Sequence, residues 1–113
     1  MDKYEIEVLD DTFERIVCGS CEYMVFLSDK SHSQYKVGNI LTINCGNKSL
    51  QVTIDDLLYF DTIKDMISML GKEKCGYKKS ESIDFIEDSI VKTLNASRVE
   101  KFGLIATRIS PLS

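Results

Sequence analysis

No stretch of this sequence stays apolar over the roughly 18 to 20 residues that a membrane-spanning helix needs. The first residues, MDKYEIEVLDD, also lack the basic and then apolar pattern of a secretory signal. We therefore expect no membrane association and a cytoplasmic location. Tryptophan is absent, and the single proline, Pro111, lies outside every helix and strand that the sequence predicts.

An excess of positive charge is missing as well. The 14 Lys and Arg residues against 18 Asp and Glu residues give a net charge of −4. Such a chain has no global attraction to nucleic acid, so binding to RNA or DNA would require a local basic patch. A hydrophobic content of 43% and a length of 113 residues are typical of one folded domain, and we assign residues 1–113 to it.

The four cysteines are Cys18, Cys21, Cys45 and Cys75, and we predict that they are reduced thiols because the chain has no export signal. Cys18 and Cys21 form a CxxC pair, which alone is half of a zinc site or a redox pair. No second close pair follows, and this pair comes at the end of a predicted helix, where the helix dipole does not favour a thiolate. The sequence therefore predicts neither a metal site nor a cofactor.

What the sequence does contain is a regular succession of strand and helix patterns. Alternating apolar residues predict strands, and apolar residues three and four apart predict helices. The predicted strands cover Tyr4–Val8, Cys21–Leu27, Val37–Cys45, Ser49–Tyr59 and Gly103–Ile109. The predicted helices start at an N-cap at Asp11 and end at Gly19, cover 63–70 after a capping Thr62, and cover 81–95. A hairpin turn is expected at Gly46-Asn47 and a bulge or bend at Asp55-Asp56.

Two segments carry a more specific signal than this order. Gly19 precedes an alternating strand, a polar hairpin and the run Tyr35-Lys36-Val37-Gly38-Asn39, and Glu100-Lys101-Phe102-Gly103 precedes the last strand. In register, these motifs resemble the ASCH family, small β-barrels related to the RNA-binding PUA fold, over about residues 12–109. The resemblance implies an α+β fold, a small, mostly antiparallel PUA-like β-barrel with about three helices.

The polar cleft of that family is not kept in this sequence. In the family a Lys, a Glu or Thr, and an Arg occupy the positions that the resemblance assigns to Cys21, Met24 and Phe26. No Lys or Arg occurs between Gly19 and Phe26 in any register. Methionine and phenylalanine can neither transfer a proton nor bind an anion, so we predict no catalytic residue. Cys21, Met24 and Phe26 are instead expected to line an apolar cleft.

The resemblance favours a non-catalytic ASCH-like module that binds RNA or acts as a regulator. Lysines with an interleaved aromatic residue suit phosphate contact and base stacking. The candidate RNA-binding residues are Lys72, Lys74, Tyr77, Lys78 and Lys79 in one loop, and Lys30, Tyr35 and Lys36 in the hairpin. The alternative interpretation of the first loop is a solvated segment whose charge is diluted by Glu73.

Two other functions stay open. A divergent small hydrolase of amidohydrolase or ribonuclease type would act on a nucleoside or RNA, with Cys21 or Cys18 as nucleophile and His32, the only histidine, as base. A protein-interaction adaptor would instead bind a partner protein in the apolar cleft, unless that cleft packs shut. The expected partner is therefore RNA or a protein.

Overall fold

The structure is a computed structural model that describes residues 3–112. The described chain contains five strands, β1 (Lys3–Glu7), β2 (Tyr23–Leu27), β3 (Ile40–Cys45), β4 (Lys48–Phe60) and β5 (Leu104–Pro111). Its four helices are α1 (Asp10–Val17), α2 (Ile63–Leu70), α3 (Ile83–Leu94) and α4 (Ala96–Phe102). Within residues 3–112, no helix is both long enough and apolar enough to cross a membrane.

All five strands belong to one mixed sheet, in the order β1-β3-β4-β5-β2. β1 runs parallel to β3, and the other neighbouring strands are antiparallel. The predicted α+β class is confirmed, but the sheet is mixed and not wholly antiparallel. It curls into a half-barrel, and the described chain adds four helices where about three were expected.

Each face of the sheet carries its own hydrophobic core. The inner face packs against α1 and the loop of residues 28–36, and the outer face packs against α2, α3 and α4. The prediction of a hairpin at 28–36 is wrong, because this loop connects β2 to β3, and these strands are not neighbours in the sheet. β2 contributes to both cores, because Met24 and Phe26 point inward while Tyr23 and Leu27 point outward. Each fully buried aliphatic side chain in these cores contributes about 1.5–3 kcal/mol to stability.

A bulge in β4 changes which residues face each core. The register against β5 shifts between Ile54 and Asp56, which confirms the irregularity predicted at Asp55-Asp56. Ile54 belongs to the inner core, whereas Leu58 packs against the outer one. The even-numbered residues of β4 therefore face the inner core before the bulge and the outer core after it, since the extra residue reverses the alternation.

The predicted start of α2 is confirmed, and that of α1 is wrong. Thr62 accepts a hydrogen bond from the backbone N–H of Asp65 at 3.1 Å, and Gly71 follows the last helical residue. α1 begins at Asp10, after Leu9, and no side chain caps its first turn. Its carboxylates stabilise that turn through the helix dipole instead of through a capping box.

The C-terminal region contains two departures from the predicted elements. Asn95 ends α3 with a φ of 78°, and its side chain accepts hydrogen bonds from the N–H groups of Ser97 and Arg98, which start the unpredicted helix α4. β5 also continues to Pro111, which pairs with Val52, although the sequence placed this proline outside every element. A proline is tolerated there because it occupies the end of the strand.

Candidate functional site

The three positions of the expected apolar cleft do not share one open surface. Met24 and Phe26 are only 7% and 8% exposed, and both pack in the inner core. Cys21 lies two residues before β2 and is partly buried. The side chains of Met24 and Phe26 are therefore part of the inner core and do not line an open cleft.

Cys21 is held by the loop that carries the predicted basic residues. It forms an isolated antiparallel β-bridge with Cys75, and its thiol donates a hydrogen bond to the carbonyl oxygen of Tyr23 at 3.1 Å. Burial raises the pKa of Cys21 to about 11, although the nearby Arg15 opposes this shift. Burial also raises the pKa of Cys75 to about 12. Both thiols are thus protonated at neutral pH, which makes them poor nucleophiles.

A groove of about 320 Å³ lies beside the C-terminal end of α1. Its described lining includes Cys18 and Cys21 but no histidine. No histidine of the groove is therefore placed to act as a general base for either of these two thiols. Among residues 3–112, no group of three or more His, Cys, Asp and Glu residues is placed to hold a metal ion. The polar part of the lining consists of Cys18, Cys21, Glu22, Asp55, Arg108 and Ser110.

His32 lies in the 28–36 loop that follows β2 and interacts with groups other than the cysteines. Its Nδ1 is 2.6 Å from Oδ1 of Asp29, and its ring stacks on Phe26 with a centroid distance of 5.1 Å. Burial raises the pKa of Asp29, but the hydrogen bond and charge of His32 outweigh it and leave the pKa below its usual value. Since Cys21 precedes β2 and His32 follows it, the structure does not bring together the cysteine–histidine pair of the hydrolase hypothesis.

The basic loop, residues 72–80, is fixed to the start of β2. The carbonyl oxygen of Lys74 accepts hydrogen bonds from the N–H groups of Glu22 and Tyr23, at 2.8 and 3.0 Å. Lys72 donates through its Nζ to the carbonyl oxygen of Glu81 at 2.7 Å, which fixes the other end of the loop. These contacts tie the loop to the start of β2 and to Glu81.

Three lysines of this loop are exposed, namely Lys74, Lys78 and Lys79. Tyr77 is half-buried, and the guanidinium of Arg15 lies 5.4 Å from the centre of its ring. Burial raises the pKa of Tyr77, so its hydroxyl stays neutral. Arg15 thus adds a fifth cation beside the four lysines of the basic loop. Sequence reasoning missed Arg15 because it and Tyr77 are 62 positions apart in the chain.

The residues of the 28–36 loop do not extend this basic surface. Lys30 and Lys36 are exposed, but Tyr35 is only 5% exposed and packs edge-on against Phe26. The basic loop contacts the start of β2, whereas the 28–36 loop follows its end. The five residues of β2 span about 16 Å, so the predicted residues form two separate basic areas.

Comparisons with known proteins define the fold. No family model matches the sequence, and no curated protein does. The structure superposes on PH0355, which is described as a hypothetical protein, with a TM-score of 0.85 and 24% sequence identity, covering 97% of this chain and 99% of that one. It also superposes on PF0455 from Pyrococcus furiosus, with a TM-score of 0.79 and 20% identity, covering 98% of each chain. The chain shares its fold with both proteins over nearly their whole length.

Proposed function

We propose that this protein is a non-catalytic RNA-binding module of the ASCH type, with a PUA-like half-barrel and the basic loop as its binding surface. The observation that supports the proposal is the combination of two features, an exposed basic loop at the start of β2 and buried apolar side chains within β2. Lys74, Lys78 and Lys79 are exposed on a loop fixed by main-chain hydrogen bonds, whereas Met24 and Phe26 fill the space that would hold catalytic side chains.

The physical basis is local charge and preorganisation. The protein is acidic overall, so its attraction to phosphates must come from a few neighbouring cations. A loop with a fixed backbone loses little conformational entropy on binding, which leaves more of the ion-pair energy available for affinity. Lys72 contributes less than its neighbours, because its ammonium group already donates to Glu81.

The surroundings of the cysteines and of His32 support the proposal that the module is non-catalytic. The thiols of Cys21 and Cys75 are neutral, and His32 is paired with Asp29 at the opposite end of β2. A hydrolase would need a nucleophile within hydrogen-bond reach of its base. We therefore expect no hydrolysis of acylated nucleosides or of RNA.

Salt dependence of binding to a short single-stranded RNA tests this proposal. With three lysines contacting phosphates, the slope of log K against log salt is expected near −2, so affinity falls about 16-fold between about 50 and about 200 mM salt. The double variant Lys78→Glu and Lys79→Glu should bring that slope to between about −1 and zero. Anisotropy of a labelled RNA measures both.

The matched control is the double variant Lys92→Glu and Lys101→Glu, which makes the same change in net charge on α3 and α4. It should keep the slope close to that of the unmodified protein. Equal losses in both variants would show that binding follows net charge alone and would contradict the proposed interface. Absence of RNA binding at about 50 mM salt would refute the function itself.

A further inference from the structure

β4 is longer than the strand beside it. β3 pairs with β4 only as far as Thr53, and the last contacts on that side are those of Ile54. There, Ile54 donates to the carbonyl oxygen of Asn39 and accepts from the N–H of Gly38, at 2.9 and 2.8 Å. From the bulge to Phe60, no other strand of the described chain pairs with this side of β4.

The pairing pattern identifies which main-chain groups face the free side. The N–H of Ile109 donates to Glu22, so the odd-numbered residues of β5 bond toward β2 and the even-numbered ones toward β4. The β4 residues that bond β5 therefore alternate with Leu57 and Tyr59, whose main-chain groups point outward. The N–H of Leu57 is bonded by the carboxylate of Asp56 at 2.9 Å. Three main-chain groups on this side have no hydrogen-bond partner within residues 3–112. They are the carbonyl oxygen of Leu57 and the N–H and carbonyl oxygen of Tyr59.

A groove adjoins this free edge. It has a volume of about 570 Å³ and lies between the end of β4 and α2. Its surface is apolar at Tyr59 and Met69, which are 60% and 73% exposed, and acidic at Asp61 and Asp65. No Lys or Arg is part of its described lining.

We propose that the free edge of β4 and this groove dock an extended, basic peptide segment of a partner protein. The segment adds a strand beside Leu57 and Tyr59 and pairs with their free main-chain groups. On one face of the added strand, a Lys or Arg reaches Asp61 and Asp65 across the groove, and the aliphatic part of that side chain covers Met69.

The negative charge of the groove favours a cationic peptide over a second copy of this chain and over RNA. A second copy of this chain, paired edge to edge, would bring two pairs of carboxylates together without a cation among the described lining residues. RNA would place its phosphates against the same carboxylates. The only lysine of α2, Lys64, faces α3, where its Nζ lies 3.8 Å from Glu87. A cationic extended peptide is complementary to both the hydrogen-bonding and the charge pattern of the site.

The length of the edge limits the docking segment. Residues 57–60 span about 13 Å, which accommodates about four residues of an added strand. Such a contact is small compared with stable protein–protein interfaces, so the interaction is a transient one. No residue of the basic loop lines this groove, and the proposal does not depend on RNA binding.

Nuclear magnetic resonance titration with a short, acetylated and amidated peptide of alternating lysine and valine tests the proposal on the full chain. We expect shifts at the amides of Leu57, Tyr59 and Met69, and slower hydrogen exchange at Tyr59 when the peptide is bound. Asp65→Lys should raise the Kd of the peptide about fivefold. Asp84→Lys, in the first turn of α3, makes the same charge change outside the groove and should leave the Kd unchanged.

Two altered peptides separate strand pairing from charge. A peptide with glutamate in place of lysine should not bind, and a peptide that is N-methylated at every residue should bind at least fivefold more weakly because it lacks main-chain donors. The proposal is overturned if the N-methylated peptide binds equally well or if no shift occurs up to about 1 mM peptide. Protection of the Tyr59 amide in the free protein, or elution as a dimer, would also overturn it.

Discussion

Replacing Thr107 by valine tests whether the buried hydroxyl group of Thr107 destabilises the protein. Thr107 is fully buried on β5, directly between Met24 on one neighbouring strand and Leu57 on the other. Its hydroxyl has no hydrogen-bond partner among the described residues. A threonine at this place therefore buries a donor and an acceptor in surroundings that are mainly apolar.

The expected gain in stability follows from the cost of that burial. An unsatisfied buried hydroxyl costs about 1–3 kcal/mol, and valine has nearly the same shape without the hydroxyl. Because valine is also β-branched, it keeps the conformational preference of the strand. We expect Thr107→Val to raise the free energy of unfolding by about 1–2 kcal/mol and Tm by about 4 °C or more.

Urea unfolding followed by circular dichroism measures this change. The midpoint should rise while the dependence on urea stays constant, because the surface exposed on unfolding does not change. Thr42→Val, at a half-buried site of β3, is the matched control and should change stability by less than about 0.5 kcal/mol. A loss of stability in Thr107→Val would show that the hydroxyl has a partner, such as a buried water, and would refute the reasoning.

Three further changes have defined outcomes. Gly103 has a φ of 76°, and a Cβ atom there would lie 2.9 Å from the carbonyl oxygen of Phe60. Gly103→Ala should therefore lower the free energy of unfolding by about 2 kcal/mol or more, measured in urea. Asp29→Asn should cost up to about 1 kcal/mol at pH 7, because it replaces the carboxylate beside His32 by a neutral amide. Since the pKa of Asp29 is lowered in the folded state, the stabilisation by its carboxylate is present above about pH 4 and is lost as the pH falls through the folded pKa. The stability of Asp29→Asn should therefore vary less with pH over that range. Cys18 is exposed and should react with iodoacetamide at pH 7 before the three other thiols, as peptide mass spectrometry can measure.

Each of these expectations has a contrary result. An unchanged midpoint in Gly103→Ala would show that the backbone relaxes around the new Cβ atom. A parallel acid profile in Asp29→Asn would show that the ion pair with His32 does not contribute to stability. Alkylation of Cys21 as fast as Cys18 would mean that Cys21 is ionised or exposed, and it would reopen the hydrolase hypothesis.

The elements that were predicted correctly depend on neighbouring residues. Thr62 and Asp65 are three positions apart, so their capping bond is visible in the sequence. The irregularity at Asp55 is visible for the same reason, because consecutive aspartates interrupt an alternating strand. Local patterns of this kind fix the kind of element and much of its length.

The missed helix α4 shows where local patterns were misread. Asn95 is a favoured N-cap residue, and the seven residues after it are enough for two helical turns. Without a clear apolar stripe, this short segment was not recognised as helical, since only Val99 of its residues is buried. Its stability depends on contact with the sheet, which the sequence does not display.

The site was harder to predict than the fold because its parts are distant in sequence. The burial of Tyr35 depends on Tyr4 and Phe26, which belong to opposite edges of the sheet. The position of Arg15 over Tyr77 depends on how α1 and the basic loop meet. Such contacts arise from topology, and residue types alone do not specify them.

The use of β2 by both cores has a consequence for how the molecule unfolds. Its inward and outward side chains belong to different cores, so neither core can be disrupted while the other keeps its full set of contacts. Heating or denaturant should therefore disrupt the two halves in a single cooperative step, as expected of a small two-state folder. The five-residue edge strand β2 thus couples the unfolding of one core to the unfolding of the other.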